Sequence, residues 1–129
     1  MKIAIIGTGN LGKSIAKGLI TSNAVTSLYL TKRNLDAIKE FDSNQNVHLT
    51  SDNAEAVKQS DIIIFAIQPA HFEAILKTIK PLLTKNHVLI STITGFSVSK
   101  MESIVGQDQF IIRAMPNTAI AVGKSMTCL

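Results

Sequence analysis

The sequence predicts an α/β protein, a doubly wound and mostly parallel sheet in three layers, α/β/α, and three observations carry that prediction. Short apolar runs alternate with helix-patterned stretches along the chain. Those runs are continuous rather than alternating, the pattern of strands covered on both faces. The 129 residues, 46% hydrophobic and 17% charged, suffice for one well-filled core and are too few for two full domains. Six strands joined by helices then fit an open parallel sheet with helices on either side.

Taken in order, strands are expected at 2–6, 27–31, 47–50, 61–67, 88–93 and 110–114. A helix is expected over 10–21, where Leu11, Ile15 and Leu19 form one stripe with Ala16 beside it. Asp52 with Glu55, and Ser99 with Glu102, have the spacing of a capping box and mark two further helix starts. Pro69 suits the first turn of the helix after the fourth strand, and Pro81 interrupts that helix or marks its end. The stretch 117–129 turns at Gly123 and reads as a further strand that stops abruptly, as in a fragment of a longer chain.

Composition excludes several classes. A single cysteine, Cys128, cannot form an internal disulfide, so a cytoplasmic location is the default expectation. The longest apolar run, 62–67, falls far short of the roughly 20 residues that span a bilayer, and 3–6 is too short for a secretory signal. Thirteen Lys and Arg against nine Asp and Glu favour anionic partners. Nucleic acid is not expected among them: the lysines are scattered from Lys2 to Lys124, Lys32 and Arg33 are the only adjacent basic pair, and the aromatics are five Phe and one Tyr.

The most informative local feature follows the first strand: Gly7, Thr8, Gly9, Asn10, Leu11 and Gly12 spell G-x-G-x-x-G and open directly into the first helix. Gly7 permits the tight turn, Gly9 lets bare backbone approach a pyrophosphate, and Gly12 lets the helix sit close to the strand. The helix start adds unpaired amides for the anion. Strand, motif, helix and second strand in that order predict a dinucleotide site of the Rossmann type; glycines that merely close a turn are the alternative. At the end of the second strand, where an NAD-binding chain places Asp or Glu, this one has Thr31, Lys32, Arg33 and Asn34, with no carboxylate before Asp36. That arrangement favours NADP, with Arg33 as the bidentate partner of a 2′-phosphate and Thr31, Lys32 and Asn34 assisting; NADH remains a possible donor. A solvated turn with two surface cations is the alternative.

Catalytic and metal sites are not expected in this chain. Tyr29 falls on the second strand, toward the adenosine side, and no His–Asp pair stands out. His48, His71 and His87 read as ordinary surface or edge histidines, Cys128 as a small terminal-strand residue, and neither residue type has ligand spacing. The chain reads as a binding module, inactive by itself. An imine acceptor would suit it, since a protonated C=N already draws hydride without a strong enzyme acid.

Resemblance sharpens this. Residues 113–118 (Arg-Ala-Met-Pro-Asn-Thr) and 122–127, with the opening Ile6-Gly-Thr-Gly-Asn-Leu-Gly12, resemble the pyrroline-5-carboxylate reductases, as do 61–69 and 91–95. The resemblance implies NADPH-dependent reduction of 1-pyrroline-5-carboxylate, a small-molecule imine, to L-proline. It also implies a C-terminal helical domain, absent here, through which the full-length chain forms a homo-oligomer. Carried over by position, Gly7, Gly9, Asn10, Leu11 and Gly12 would hold the pyrophosphate, and Thr31, Lys32 and Arg33 would face the 2′-phosphate. Asn53 would reach the adenosine ribose, and Ala66, Ile67, Gln68 and Pro69 would line the cofactor. Thr94 and Gly95 would approach the nicotinamide, with Met115 and Asn117 closing that end; a purely structural turn is the alternative for 115–118.

The sequence departs from the family pattern at Gln68, where lysine is common, at Ala119, where proline usually follows Asn-Thr, and at Ser125, where glycine precedes Met-Thr. Two other readings stand beside the first. One is an NADP oxidoreductase that exchanges hydride with a deazaflavin cofactor, similar over the first ninety residues. The other is a diverged paralogue that binds NADP without reducing anything.

Overall fold

The computed structural model describes residues 1–23 and 25–114. Met115, Asn117, Ala119, Ser125, Cys128 and the strand expected within 117–129 lie outside the described residues. The sheet contains β1 (Lys2–Ile6), β2 (Ser27–Thr31), β3 (Val47–Thr50), β4 (Ile62–Phe65), β5 (Val88–Ser91) and β6 (Phe110–Arg113). Their order is β3-β2-β1-β4-β5-β6 and every neighbouring pair is parallel. The helices are α1 (Asn10–Ser22), α2 (Asn53–Lys58), α3 (Pro69–Ile79) and α4 (Val98–Val105), with 3-10 segments at Leu35–Phe41 and Lys80–Leu82.

Strand residues alternate between the two faces, and each face has its own core. Ala4, Ile6, Ile63, Phe65 and Leu89 pack with α2, α3 and α4 through Val57, Phe72, Leu76 and Met101. Ile3, Ile5, Leu28, Leu30 and Ile64 pack with α1 and the first 3-10 segment through Ile15, Ala16, Ile38 and Phe41. Phe72, fully buried, has ring centroids 5.1 Å from Phe65 and 4.7 Å from Phe96. Such tilted aromatic pairs add roughly 0.5–1.5 kcal/mol beyond the area they bury. Lys13 reaches Glu40 at 3.1 Å, joining α1 to the 3-10 segment. The winding changes direction between β1 and β4, and a doubly wound sheet places its ligand crevice at the carboxyl ends of the strands there.

Several boundaries differ from expectation. β4 stops at Phe65 rather than residue 67: Ala66 N–H still donates to the Ile6 carbonyl at 2.9 Å, after which the chain turns across the end of β1. β5 stops at Ser91 rather than 93 because the Ser91 hydroxyl accepts the Ile93 amide at 3.2 Å and starts a turn. α4 is capped by Ser97, which accepts the Lys100 amide at 3.1 Å, so the cap lies two residues before the expected Ser99. The second expected cap is present: Asp52 accepts the Ala54 amide at 2.9 Å. Its Glu55 bonds the Thr50 hydroxyl at 3.1 Å, and that hydroxyl accepts the Asp52 amide at 3.0 Å. Pro81 sits in the 3-10 turn just after α3.

Candidate functional site

The first turn after β1 is built from backbone. Gly7 has φ +87°, a left-handed conformation, and a methyl of Ile67 occupies the space where a side chain would begin, so glycine is required twice over. Gly9 N–H donates to the Gly7 carbonyl and Thr8 N–H to the Thr31 carbonyl, both at 2.9 Å. A Cβ on Gly12 would lie 2.8 Å from the Gly7 carbonyl oxygen, which fixes how closely α1 approaches the strand. Around Gly9, by contrast, a Cβ would meet nothing within 4 Å. The first helical bond is Lys13 N–H to the Gly9 carbonyl at 2.8 Å. The amides of Asn10, Leu11 and Gly12 have no acceptor among the described residues and lie at the positive end of a 13-residue helix.

This turn forms one wall of a cavity of about 450 Å³ at the carboxyl ends of β1, β2 and β4. Gly7 and Gly9 face Thr31, Lys32, Arg33 and Asn34 from the end of β2. Ser51 and Asn53 close the β3 side, and Ala66, Ile67 and Gln68 close the β4 side. His71 and Ile75 of α3 complete the wall. Among the described residues no carboxylate lines the cavity. Among the described residues neither Lys32 nor Arg33 is in a salt bridge. Two cations thus stand in the cavity wall and the unpaired amides of Asn10, Leu11 and Gly12 follow directly on Gly9, just outside the lining, an arrangement suited to a ligand carrying anionic groups at two places.

Some expected site residues turn their polar groups elsewhere or lie outside the cavity lining. Thr31 is 2% exposed, and its hydroxyl turns inward, accepting the Gly7 amide at 3.1 Å and donating to the Ile5 carbonyl at 3.4 Å. Thr8 is fully buried with its amide already used, so it frames the turn. Asn34 borders the cavity, but its side chain caps the 3-10 segment by accepting the Asp36 amide at 3.1 Å. Pro69 opens α3 and is exposed, outside the cavity lining. Thr94 and Gly95 are exposed on the turn after β5, also outside it.

Ile6, Ser51, His71 and Ile75 line the cavity without having been expected there. Helical spacing could have revealed two of them. Phe72, Leu76 and Ile79 form the buried row of α3, and Gln68, His71 and Ile75 form the adjacent row facing the cavity. The other histidines are structural. His48 stacks on Tyr29 with ring centroids 4.7 Å apart. In His87, Nδ1 accepts the Thr84 amide at 2.9 Å, leaving Nε2 to donate to the Val57 carbonyl at 3.2 Å.

The sheet order, glycine turn and basic end of β2 define a nucleotide-binding domain of the oxidoreductase type. Residues 2–95 match the family model described as NADP oxidoreductase, coenzyme F420-dependent, and the chain belongs to that family. Within it the resemblance is to pyrroline-5-carboxylate reductases. The chain is 42% identical to pyrroline-5-carboxylate reductase 2 of Dictyostelium discoideum, over 98% of this chain and 44% of the relative. The structure of a pyrroline-5-carboxylate reductase from Coxiella burnetii superposes with TM-score 0.88 at 31% identity, covering 98% of this chain and 47% of that one. The Plasmodium falciparum pyrroline carboxylate reductase, solved with NADP bound, gives 0.83 at 29% identity, over 99% and 47%. The chain spans under half the length of these relatives.

Proposed function

We propose that this chain binds NADP(H) and serves as the nucleotide-binding part of a reductase that converts 1-pyrroline-5-carboxylate to L-proline. The observation that carries the reading is one cavity, free of carboxylates among the described residues, that joins the glycine turn to Lys32 and Arg33. The residues present fit the cofactor. Gly9 leaves bare backbone open to the cavity, three first-turn amides lack acceptors, and two cations stand where a ribose-binding carboxylate would reject a 2′-phosphate.

When bound, the nicotinamide would supply hydride to an imine carbon whose nitrogen is already protonated. This chain's contribution is binding and orientation. The amides of Asn10, Leu11 and Gly12 take the pyrophosphate, Arg33 and Lys32 take the 2′-phosphate, and Asn53 bonds the adenosine ribose. Ala66, Ile67 and Gln68 would line the cofactor and Thr94 and Gly95 would approach its nicotinamide, the roles that the family resemblance also assigns to Met115 and Asn117, outside the described residues. Dimerisation through a helical C-terminal domain and a cytoplasmic location belong to the same proposal. The second rests on the lone cysteine; no helix of the described residues is long and apolar enough to cross a membrane.

The test is twofold. NADPH should bind this chain more tightly than NADH in one buffer, and a protein extended beyond Leu129 should form proline from pyrroline-5-carboxylate and NADPH. A second reading follows from the family description: hydride exchange with coenzyme F420. Turnover of that deazaflavin with no proline formed would favour it. Tight NADPH binding without either turnover would favour a non-catalytic paralogue, the reading that Gln68 motivates.

A further inference from the structure

Thr31 is the last residue of β2, immediately before the two cations, and it would ordinarily be grouped with them as a contact to the nucleotide's phosphate. Its hydrogen bonds run the other way. The hydroxyl accepts from Gly7 N–H at 3.1 Å and donates to the Ile5 carbonyl at 3.4 Å. Its main-chain carbonyl accepts from Thr8 N–H at 2.9 Å. One residue therefore holds two consecutive amides of the glycine turn, and its own side chain is 2% exposed. Gly7 is the residue whose left-handed φ sets the direction of that turn. Without the hydroxyl, its amide would be an unsatisfied donor in a partly buried place, and the turn would be free to seek other conformations.

We infer that Thr31 is a positioning residue for the pyrophosphate site: its hydroxyl holds the glycine turn in the binding conformation and does not contact the 2′-phosphate. The inference rests on the NADP(H) reading for its affinity arm and on hydrogen bonding alone for its exchange arm. Affinity falls in proportion to the fraction of molecules whose turn is correctly formed, so the same factor applies to any nucleotide that uses the turn. Thr31→Val keeps the shape and removes the hydroxyl; Thr31→Ser keeps the hydroxyl.

The experiment measures NADPH and NADH dissociation constants for the wild-type chain, Thr31→Val and Thr31→Ser, together with amide hydrogen exchange at Gly7 by NMR. In Thr31→Val both nucleotides should bind roughly tenfold more weakly, by equal factors, and Gly7 exchange should accelerate by a similar factor. In Thr31→Ser both affinities and the exchange rate should return to within about twofold of wild type. A loss confined to NADPH would overturn the inference in favour of phosphate contact. Unchanged Gly7 exchange in Thr31→Val, or failure of Thr31→Ser to restore it, would overturn it as well. If the wild-type chain bound neither nucleotide, the proposed function would fall and the Gly7 exchange rates would still decide the role of Thr31.

Discussion

Replacing Arg33 by alanine isolates the group that distinguishes the two nicotinamide nucleotides. A charge-assisted hydrogen bond nets about 1.5–3 kcal/mol, and a guanidinium can make two in parallel to one phosphate. Arg33 is exposed, so water and salt screen it and the lower part of that range applies. A loss of about 1.5–2 kcal/mol corresponds to roughly ten- to thirty-fold weaker NADPH binding. NADH lacks the 2′-phosphate and should bind the variant as it binds wild type. Lys32, half-buried beside it, keeps a point charge in place, so a reduced preference for NADPH should survive. Calorimetric titration of both nucleotides against both proteins at low ionic strength is the assay, and added salt should shrink the difference. Equal loss for NADPH and NADH, or no loss, would refute the assignment of Arg33 to the 2′-phosphate.

Four further outcomes are expected. Gly9→Ala should unfold at the wild-type denaturant midpoint, because its Cβ meets no protein atom, yet lose at least roughly tenfold in affinity for both nucleotides by blocking close approach; Gly12→Ala should instead lose stability, about 1–3 kcal/mol by urea titration, through its clash with the Gly7 carbonyl. Gln68→Lys should tighten NADPH and NADH alike, since it adds a cation to a wall shared by both, which paired titrations would read. Phe72→Ala should cost about 3–5 kcal/mol in chemical denaturation by emptying the centre of the Phe65–Phe72–Phe96 cluster.

The strands and the glycine turn were legible because their signals are local. The expected limits of β1, β2 and β3 match the structure, and the first helix was short by one residue, Ser22. What escaped depends on where chains cross. That Ile67 leaves the sheet to cover Gly7, or that the Thr31 hydroxyl points toward Ile5, follows from contacts between segments far apart in sequence. Ser99 has the capping-box spacing with Glu102, yet Ser97 is the cap; the buried Phe96 beside it helps set where α4 enters the core. Helical spacing groups His71 and Ile75 with Gln68 in one row of α3, but that this row borders the cavity is a property of the packed helix.

The methyl of Ile67 nested over Gly7 has a practical corollary for engineering. The celebrated loop is only half of its own mould; the other half arrives with the fourth strand. A graft of the loop into a foreign host would not carry its shape unless that host already supplied a matching lid, so the portable unit is the pair of neighbouring strands with both of their outgoing bends.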